Sequence, residues 1–230
     1  EAQVCAQLQH PNIVPIHDLG TLPDGRLYFT MKEIKGRSLD TVIDSVHDAV
    51  KDGRFHPTED GWTFRRLIDV FHKVCQAVGY AHSKGVLHRD LKPENIMLGE
   101  FGEVLVVDWG IAKVVGRLDR AAEAGEFDLV TSSRLGLQAT RMGQVAGTPA
   151  YMAPEQARGE INKLNAQTDV YALGAILYEI LSGRAPYRGA SLMNILEQVK
   201  SGPPPSVQSQ TAPNANDILL SLDEIPVSPS

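Results

Sequence analysis

The feature that most constrains the fold is a pair of polar loops separated by two short apolar runs. The first loop reads HRDLKPEN over residues 88–95, and the second reads DWG over residues 108–110. The apolar runs at residues 96–98 and 104–107 predict two short strands between the loops. Because strands this close in sequence usually pair across a tight turn, we expect the polar side chains of both loops to converge across a hairpin.

Two longer apolar patterns predict helices around these loops. Residues 62–83 carry apolar side chains at i, i+3, i+4 and i+7, which is typical of an amphipathic helix. Residues 169–181 are apolar on nearly every face, which predicts a helix buried at the domain centre. Thr168 or Asp169 is placed to cap the start of this second helix, and Gly183 follows its end.

The rest of the chain shows weaker patterns. Residues 1–9 predict a short helix, and residues 13–19 and 26–31 predict two strands joined by a turn that contains Asp-Gly. Residues 116–146 show little periodicity, and residues 202–216 begin with Gly-Pro-Pro-Pro. Both of these segments read as loops.

Composition excludes several classes of function. The net charge of −6 gives no basic excess, so we expect no binding to nucleic acid. Cys5 and Cys75 lie outside any CxxC pattern, which predicts neither a disulfide framework nor a zinc site and favours a reducing, cytoplasmic location. No apolar run reaches the roughly 18 residues that a membrane span needs, so we expect no membrane segment in this chain, although a parent protein could be anchored elsewhere.

Four strings in a fixed order carry a family resemblance. The loops at 88–95 and 108–110, followed by GTP at 147–149 and APE at 153–155, resemble the catalytic loop, the metal-binding loop and the end of the activation segment of protein kinases. Trp109 stands where the family has Phe. The chain therefore resembles a Hanks-type (eukaryotic-like) serine/threonine protein kinase over residues 1 to about 200, and the string GTPAYMAPEQ looks similar to bacterial members.

The resemblance implies an α+β, protein-kinase-like fold that consists mostly of the helical C-terminal lobe. Residues 1–34 would be part of the N-terminal lobe, with one helix and two strands, and the hinge. Residues 35–201 would form the C-terminal lobe, with a long activation segment at about 108–155. Residues 202–230 would be a Pro/Ser-rich tail.

The resemblance also implies the chemistry of phosphoryl transfer from ATP to a protein substrate. Asp90 would accept or orient the proton of the acceptor hydroxyl, and Lys92 would place a cation near the transferring phosphate. Asn95 and Asp108 would supply oxygen ligands to Mg²⁺, which prefers hard oxygen donors. In this family, Lys92 and Thr148 go with Ser/Thr acceptors. His88 and Trp109 are expected to be structural packing residues.

For the nucleotide, the resemblance assigns six further positions. Met31 would line the back of the adenine pocket, with plain core packing as the alternative, and the same alternative applies to Met97, which would lie under the adenine. Lys32 through Ile34 would form the hinge and bind adenine through backbone groups. Glu1 matches the helix glutamate that pairs with the phosphate-binding lysine. Arg89 would pair with a phosphate in the activation loop, for which the candidates are Thr131, Ser132, Ser133 and Thr140.

Three alternatives remain open at this stage. The chain shows no GxGxxG loop and no strand lysine, so we expect a catalytic domain truncated at both ends, whose isolated 230 residues bind ATP weakly and turn over poorly. At the other end, no arginine follows Arg188, so we expect Glu155 to lack the arginine partner that family members have, and a buried, unpaired carboxylate there would be costly. A non-catalytic kinase-like scaffold is the second reading, and a kinase acting on small molecules is the third.

Overall fold

The fold combines short antiparallel strand pairs with four longer helices and one single-turn helix. This computed structural model describes residues 8–24, 27–51, 53–109, 113–114 and 148–207, and the statements below concern those residues. The strands are β1 (Ile16–Thr21), β2 (Leu27–Met31), β3 (Gly36–Ser38), β4 (Val50–Lys51), β5 (Arg54–Phe55), β6 (Val86–Leu87), β7 (Ile96–Gly99), β8 (Val104–Val106) and β9 (Lys113–Val114). The helices are α1 (Leu39–Asp48), α2 (Phe64–Ser83), α3 (Pro154–Ala157), α4 (Ala166–Ser182) and α5 (Leu192–Ser201), with 3-10 turns at Pro93–Asn95, Thr148–Tyr151 and Ile161–Lys163.

A three-stranded antiparallel sheet, ordered β3-β7-β8, carries the hairpin that the sequence predicts. The N-terminal segment joins this sheet beside β8, where the backbone N–H of Val106 donates to the carbonyl of Asn12 at 2.8 Å and that of Val14 donates to the carbonyl of Val106 at 3.2 Å. The Asn12 side chain also donates to the carbonyl of Val104 at 2.9 Å. The first described residues are thus bonded to the strand that leads to the DWG loop.

The two N-terminal strands form a separate antiparallel hairpin. Ile16 pairs with Met31 and Thr21 pairs with Leu27, with an irregularity after Ile16. The predicted strands are confirmed, although the first begins at Ile16 rather than at residue 13. The helix predicted at residues 1–9 lies outside the described residues except for its last two positions, which are not helical.

Helix α2 confirms the amphipathic prediction. Thr63 caps it by accepting a hydrogen bond from the backbone N–H of Arg66 at 3.2 Å. Its apolar face is buried, and α2 packs against α4, β6 and β8. The buried side chains of this face are Phe64, Leu67, Val70, Val74, Ala77, Val78 and Ala81. This helix therefore carries much of the hydrophobic core under the hairpin.

Helix α4 starts earlier than predicted and is not buried all round. Its N-cap is Asn165, whose side chain accepts from the backbone N–H of Gln167 at 2.8 Å, so the prediction that Thr168 or Asp169 caps the helix is wrong. Both residues lie inside the first turn and are 1% exposed. On the opposite face Val170 is 50% exposed, so the apolar pattern overstated the burial.

Helix α1 was not predicted, although its sequence carries the signal. Leu39, Val42, Ile43 and Val46 are fully buried at helical spacing. The helix packs against the 3-10 turn Pro93–Asn95 and so supports the HRDLKPEN loop from below. Within the described residues, no helix is both long enough and apolar enough to cross a membrane.

Candidate active site

The HRDLKPEN loop connects β6 to β7 and brings three of the predicted site residues together. The Asn95 amide donates to the backbone carbonyl of Asp90 at 2.8 Å and approaches its Oδ2 at 3.3 Å. Nζ of Lys92, which is 5% exposed, lies 3.6 Å from the same Oδ2. A buried ammonium needs a compensating charge, and Asp90 supplies one. Asp90, Lys92 and Asn95 thus form one hydrogen-bonded and charge-paired group.

The backbone before Asp90 is held in an unusual conformation. Arg89 has φ +70°, in the left-handed region that non-glycine residues seldom adopt. Its backbone N–H donates to Oδ1 of Asp169 at 2.8 Å, and the N–H of His88 donates to Oδ2 of the same carboxylate at 2.8 Å. Asp169, which the sequence predicts as a possible helix cap, therefore anchors the HRDLKPEN loop.

His82 completes this anchor from helix α2. Its Nε2 lies 2.7 Å from Oδ2 of Asp169, and it must donate because a carboxylate only accepts. Burial alone would raise the pKa of Asp169, but the hydrogen bond from His82 and those from the backbone N–H groups of Arg89 and His88 outweigh it and lower the pKa below its ordinary value of 3.8. Asp169 is therefore ionised at neutral pH despite its burial.

His88 occupies a packing position, as the sequence predicts. It is fully buried and its ring lies 4.6 Å from the Trp109 ring, centre to centre. Nε2 of His88 lies 3.0 Å from the carbonyl of Val107, and Nδ1 accepts from the backbone N–H of Asp90 at 3.3 Å. Since Nε2 donates and Nδ1 accepts, the imidazole is neutral and ties the first polar loop to the strand before the second.

Asp108 lies directly after the strand that pairs with β7. The backbone N–H of Val107 donates to the carbonyl of Asn95 at 2.9 Å, so Asp108 follows a residue bonded to Asn95. Asp108 is exposed and has φ +59°. Trp109, 4% exposed, is buried in the core and donates from Nε1 to the carbonyl of Val106 at 3.1 Å, which fixes the start of the DWG loop.

The donors at this hairpin fit a magnesium ion that is mainly held by other ligands. Among the described residues, no group of three or more His, Cys, Asp or Glu side chains could hold a metal alone. The amide nitrogen of Asn95 is used on Asp90, which leaves its Oδ1 as an oxygen donor, and Asp108 offers an exposed carboxylate. Mg²⁺ is typically bound by one or two protein oxygens together with phosphate and water, which agrees with this donor set.

The residues assigned to the nucleotide lie at the end of β2, in the segment that follows it, and in β7. Met31 is 49% exposed, so the alternative that it packs in the core is wrong, while Ile34 is half-buried. Met97 is half-buried in β7, opposite Leu105. The Lys32 side chain forms an exposed ion pair with Glu103 at 2.7 Å. Glu1 lies outside the described residues, as do the phosphorylation candidates Thr131, Ser132, Ser133 and Thr140.

A half-buried carboxyl without a motif in the sequence, that of Glu179, lies beside Tyr151. The Tyr151 hydroxyl donates to Oε2 of Glu179 at 2.6 Å. The pKa of Glu179 is raised to about 7, chiefly by burial and also by nearby carboxylates, although the Tyr151 hydrogen bond lowers it. Those carboxylates belong to Glu94, Asp44 and Asp40. The sequence signal for this contact was weak, because the two residues are 28 positions apart.

Glu155 accepts a hydrogen bond from a threonine hydroxyl, so the cost expected for an unpaired buried carboxylate does not arise. The Thr168 hydroxyl donates to Oε1 of Glu155 at 2.8 Å, and Glu155 is half-buried. The same hydroxyl accepts from the backbone N–H of Asn165 at 3.2 Å. Consecutive residues of α4 therefore contact two different parts of the site, because Thr168 binds the APE string and Asp169 binds the HRDLKPEN loop.

Comparison with known proteins identifies the family. Residues 1–222 match the family model described as protein kinase domain. The chain is 42% identical over 194 residues, 84% of its length, to the serine/threonine-protein kinase PknD of Protochlamydia amoebophila. It is 37% identical over 188 residues, 82% of its length, to the PknD of Chlamydia pneumoniae. The chain spans about a fifth of the length of these curated relatives, at 19% of each.

The fold comparison agrees. A chain of the crystal structure of the yeast RNA Pol II CTD kinase CTDK-1 complex is similar, with a TM-score of 0.57 at 18% identity. The match covers 86% of this chain and 53% of that one. At this identity the likeness shows the fold alone, and it confirms the predicted α+β, protein-kinase-like architecture. With the family model matched from residue 1 to residue 222, the chain belongs to the protein kinase domain family.

Proposed function

We propose that this domain transfers the terminal phosphoryl group of ATP to Ser or Thr hydroxyls of protein substrates. The observation that carries the proposal is the group formed by Asp90, Lys92 and Asn95, in which both partners lie within 3.6 Å of the Asp90 side chain. The named activity of the PknD relatives supports the Ser/Thr assignment. We extend it here to this domain, since the chain spans only part of those proteins.

The proposed roles follow from the requirements of phosphoryl transfer, which depends mainly on positioning and charge neutralisation. The Asp90 carboxylate would accept the hydrogen bond of the substrate hydroxyl and orient its oxygen toward the phosphorus. Lys92, held 3.6 Å from Asp90, would place a positive charge beside the transferring group. Asn95 and Asp108 would hold Mg²⁺, which neutralises charge on the phosphate oxygens when it is bound.

The nucleotide assignments belong to the same proposal. ATP binding follows from the family, and we place the adenine against Met31 and Met97, with hinge contacts from the backbone of Lys32 through Ile34. The exposure of the Met31 and Lys32 side chains supports this placement, because neither is taken up by the hydrophobic core. We also propose that residues 1–34 form part of the N-terminal lobe and the hinge, that residues 35–201 form the C-terminal lobe with an activation segment at about 108–155, and that residues 202–230 form a tail.

No observation favours the non-catalytic scaffold or the small-molecule kinase. A scaffold needs no buried lysine, yet Lys92 is 5% exposed beside a carboxylate. Burying this ion pair costs desolvation free energy, which a catalytic role explains and a scaffold role does not. The choice between protein and small-molecule acceptors depends on the GTPAYMAPE region. The described part of that region, residues 148–155, is tied to α4 through Tyr151 and Glu155.

The deciding experiment measures phosphoryl transfer by the full-length gene product. Purified protein is incubated with radiolabelled ATP, Mg²⁺ and peptide libraries that differ in a single Ser, Thr or Tyr acceptor. We expect transfer to the Ser and Thr libraries, and we expect Asp90→Asn to lower kcat by about 10²- to 10⁴-fold. The matched control is Asp69→Asn, at an exposed position of α2, which should keep the wild-type rate.

Two outcomes would contradict the proposal. One is a wild-type protein that labels no Ser or Thr library under conditions in which it binds ATP. The other is an Asp90→Asn protein that works as fast as wild type. Labelling of small alcohols in place of peptides would support the small-molecule reading.

A further inference from the structure

Gln156, in the single-turn helix α3, makes two hydrogen bonds of opposite sense to two different segments. Its amide Nε2 donates to the backbone carbonyl of Arg89 at 2.7 Å. Its Oε1 accepts from the backbone N–H of Ala153 at 3.1 Å. Arg89 and Gln156 are 67 positions apart, so this amide bridges the HRDLKPEN loop and the APE string directly.

The bridge meets the loop at its most constrained residue. Arg89 has φ +70°. Its backbone N–H donates to Oδ1 of Asp169 at 2.8 Å, and its carbonyl accepts from Nε2 of Gln156. A non-glycine residue in the left-handed region is strained, and it persists only where its surroundings fix it. Helix α4 thus holds the peptide unit before the Arg89 Cα, and α3 holds the one after it. The carbonyl held by Gln156 belongs to the peptide bond that leads into Asp90.

We propose that Gln156 is a positioning residue for Asp90, which it orients by holding the carbonyl of Arg89. The proposal rests on the proposed function, because it gives Asp90 a defined direction in the transfer reaction. Gln156 itself would contact no reacting atom. Its effect passes through the plane of the 89–90 peptide, whose rotation would turn the Asp90 side chain away from the substrate hydroxyl.

A simpler role for Gln156, as a residue that only caps α3, predicts the opposite effect of substitutions. As the third residue of α3, Gln156 reaches back to the N–H of Ala153, which is half of a capping box. Ala153 has no side-chain acceptor, so the reciprocal half cannot form. If this cap were the whole role, the acceptor oxygen of Gln156 would matter and its donor nitrogen would not.

Two substitutions separate the two bonds. Gln156→Glu keeps an oxygen for the N–H of Ala153 but presents an ionised acceptor to the carbonyl of Arg89, so the donor bond is lost and replaced by repulsion. Gln156→Lys keeps a donor for Arg89 and has no acceptor for Ala153. Gln76, exposed in α2, provides the matched controls Gln76→Glu and Gln76→Lys.

Steady-state kinetics of the full-length protein give the first readout. We expect Gln156→Glu to lower kcat on the order of 10- to 100-fold, with KM for ATP unchanged, because a small misplacement of a catalytic group has effects of that size. Gln156→Lys should keep kcat close to wild type, and both Gln76 variants should match it. The reverse order, with Lys impaired and Glu normal, would overturn the proposal in favour of the cap.

Hydrogen exchange separates failure of this inference from failure of the proposed function. Exchange of the backbone amides in a peptide covering residues 88–95 needs no substrate, so it reports on the loop even if no acceptor is phosphorylated. We expect faster exchange in Gln156→Glu than in Gln156→Lys or in the Gln76 variants. Equal exchange in all four, with equal kcat, would refute the bridge while leaving the kinase assignment intact. Faster exchange in Gln156→Glu alone, in a protein whose wild type phosphorylates no acceptor, would support the bridge and refute the kinase assignment.

Discussion

Replacing Asp169 by asparagine tests whether this carboxylate anchors the site. In the wild type it accepts from His82 Nε2 at 2.7 Å and from the N–H groups of His88 and Arg89 at 2.8 Å each. An asparagine has one acceptor oxygen, and its NH₂ group would face a donor, so at least one buried N–H loses its partner. Each such orphan costs about 1–3 kcal/mol, and loss of the charge-assisted bond to His82 adds to it.

We therefore expect Asp169→Asn to lower the free energy of unfolding by about 2–5 kcal/mol at pH 7. The assay is urea unfolding of the 230-residue chain, followed by the fluorescence of the two buried tryptophans, Trp62 and Trp109. Asp69→Asn is the control, since its exposed i, i+4 contact with Arg65 at 3.8 Å should contribute less than about 0.5 kcal/mol.

The pH dependence sharpens this test. Because the pKa of Asp169 is lowered by folding, its contribution is fully present above its ordinary value of 3.8 and is lost as pH falls through the lowered value. The gap between wild type and Asp169→Asn should therefore be constant near neutrality and shrink in acid. A gap below 0.5 kcal/mol at pH 7, or one that grows in acid, would refute the anchoring argument.

Three further substitutions probe helix α4 and its C-cap. Gly183→Ala should destabilise the chain by about 1–3 kcal/mol, because Gly183 has φ +69° and an added Cβ would lie 2.7 Å from Nδ1 of His47. Gly174→Ala should instead stabilise it by about 0.5–1 kcal/mol, since nothing lies within 4 Å of the added carbon, and urea unfolding that ranks the two alike would contradict both. Folding raises the pKa of Glu179 from its ordinary 4.5 to about 7, so this group costs stability as pH rises through that range. Glu179→Gln should therefore gain on wild type between about pH 4.5 and 7, by at most about 1.4 kcal/mol per pH unit in urea titrations, and the difference should level off above that range. A difference that is flat with pH would show that Glu179 does not titrate in this range.

Much of the site was predictable because its residues are neighbours in sequence. Asp90, Lys92 and Asn95 lie within one loop, and Asp108 follows the next strand, so pairing of β7 with β8 is enough to group them. The amphipathic pattern of α2 was equally informative, since one face of a long helix has to be buried. In both cases local spacing determines the contact.

Two of the misses at the site involve partners distant in sequence. Asp169 looked like a helix cap because Asp is common there, and only the fold brings it to His88, 81 positions away. Thr168 and Glu155 form a pair that no spacing rule predicts, 13 positions apart across two turns and a helix start. The full burial expected of α4 failed at Val170, because an apolar pattern specifies which faces can be buried and not which faces are covered.

The short span of the β7–β8 hairpin has a consequence for the order of folding. Asn95 and Val107 are bonded across a closed loop that can form on the microsecond timescale of isolated hairpins. The hydrogen bond from His88 to Asp169 forms later, because Asp169 lies 81 positions after His88 in the chain. On the ribosome, Asn95 and Asp108 would therefore come together before the loop that carries Asp90 is anchored. A nascent chain that ends before α4 would contain the β7–β8 hairpin but not the anchored HRDLKPEN loop.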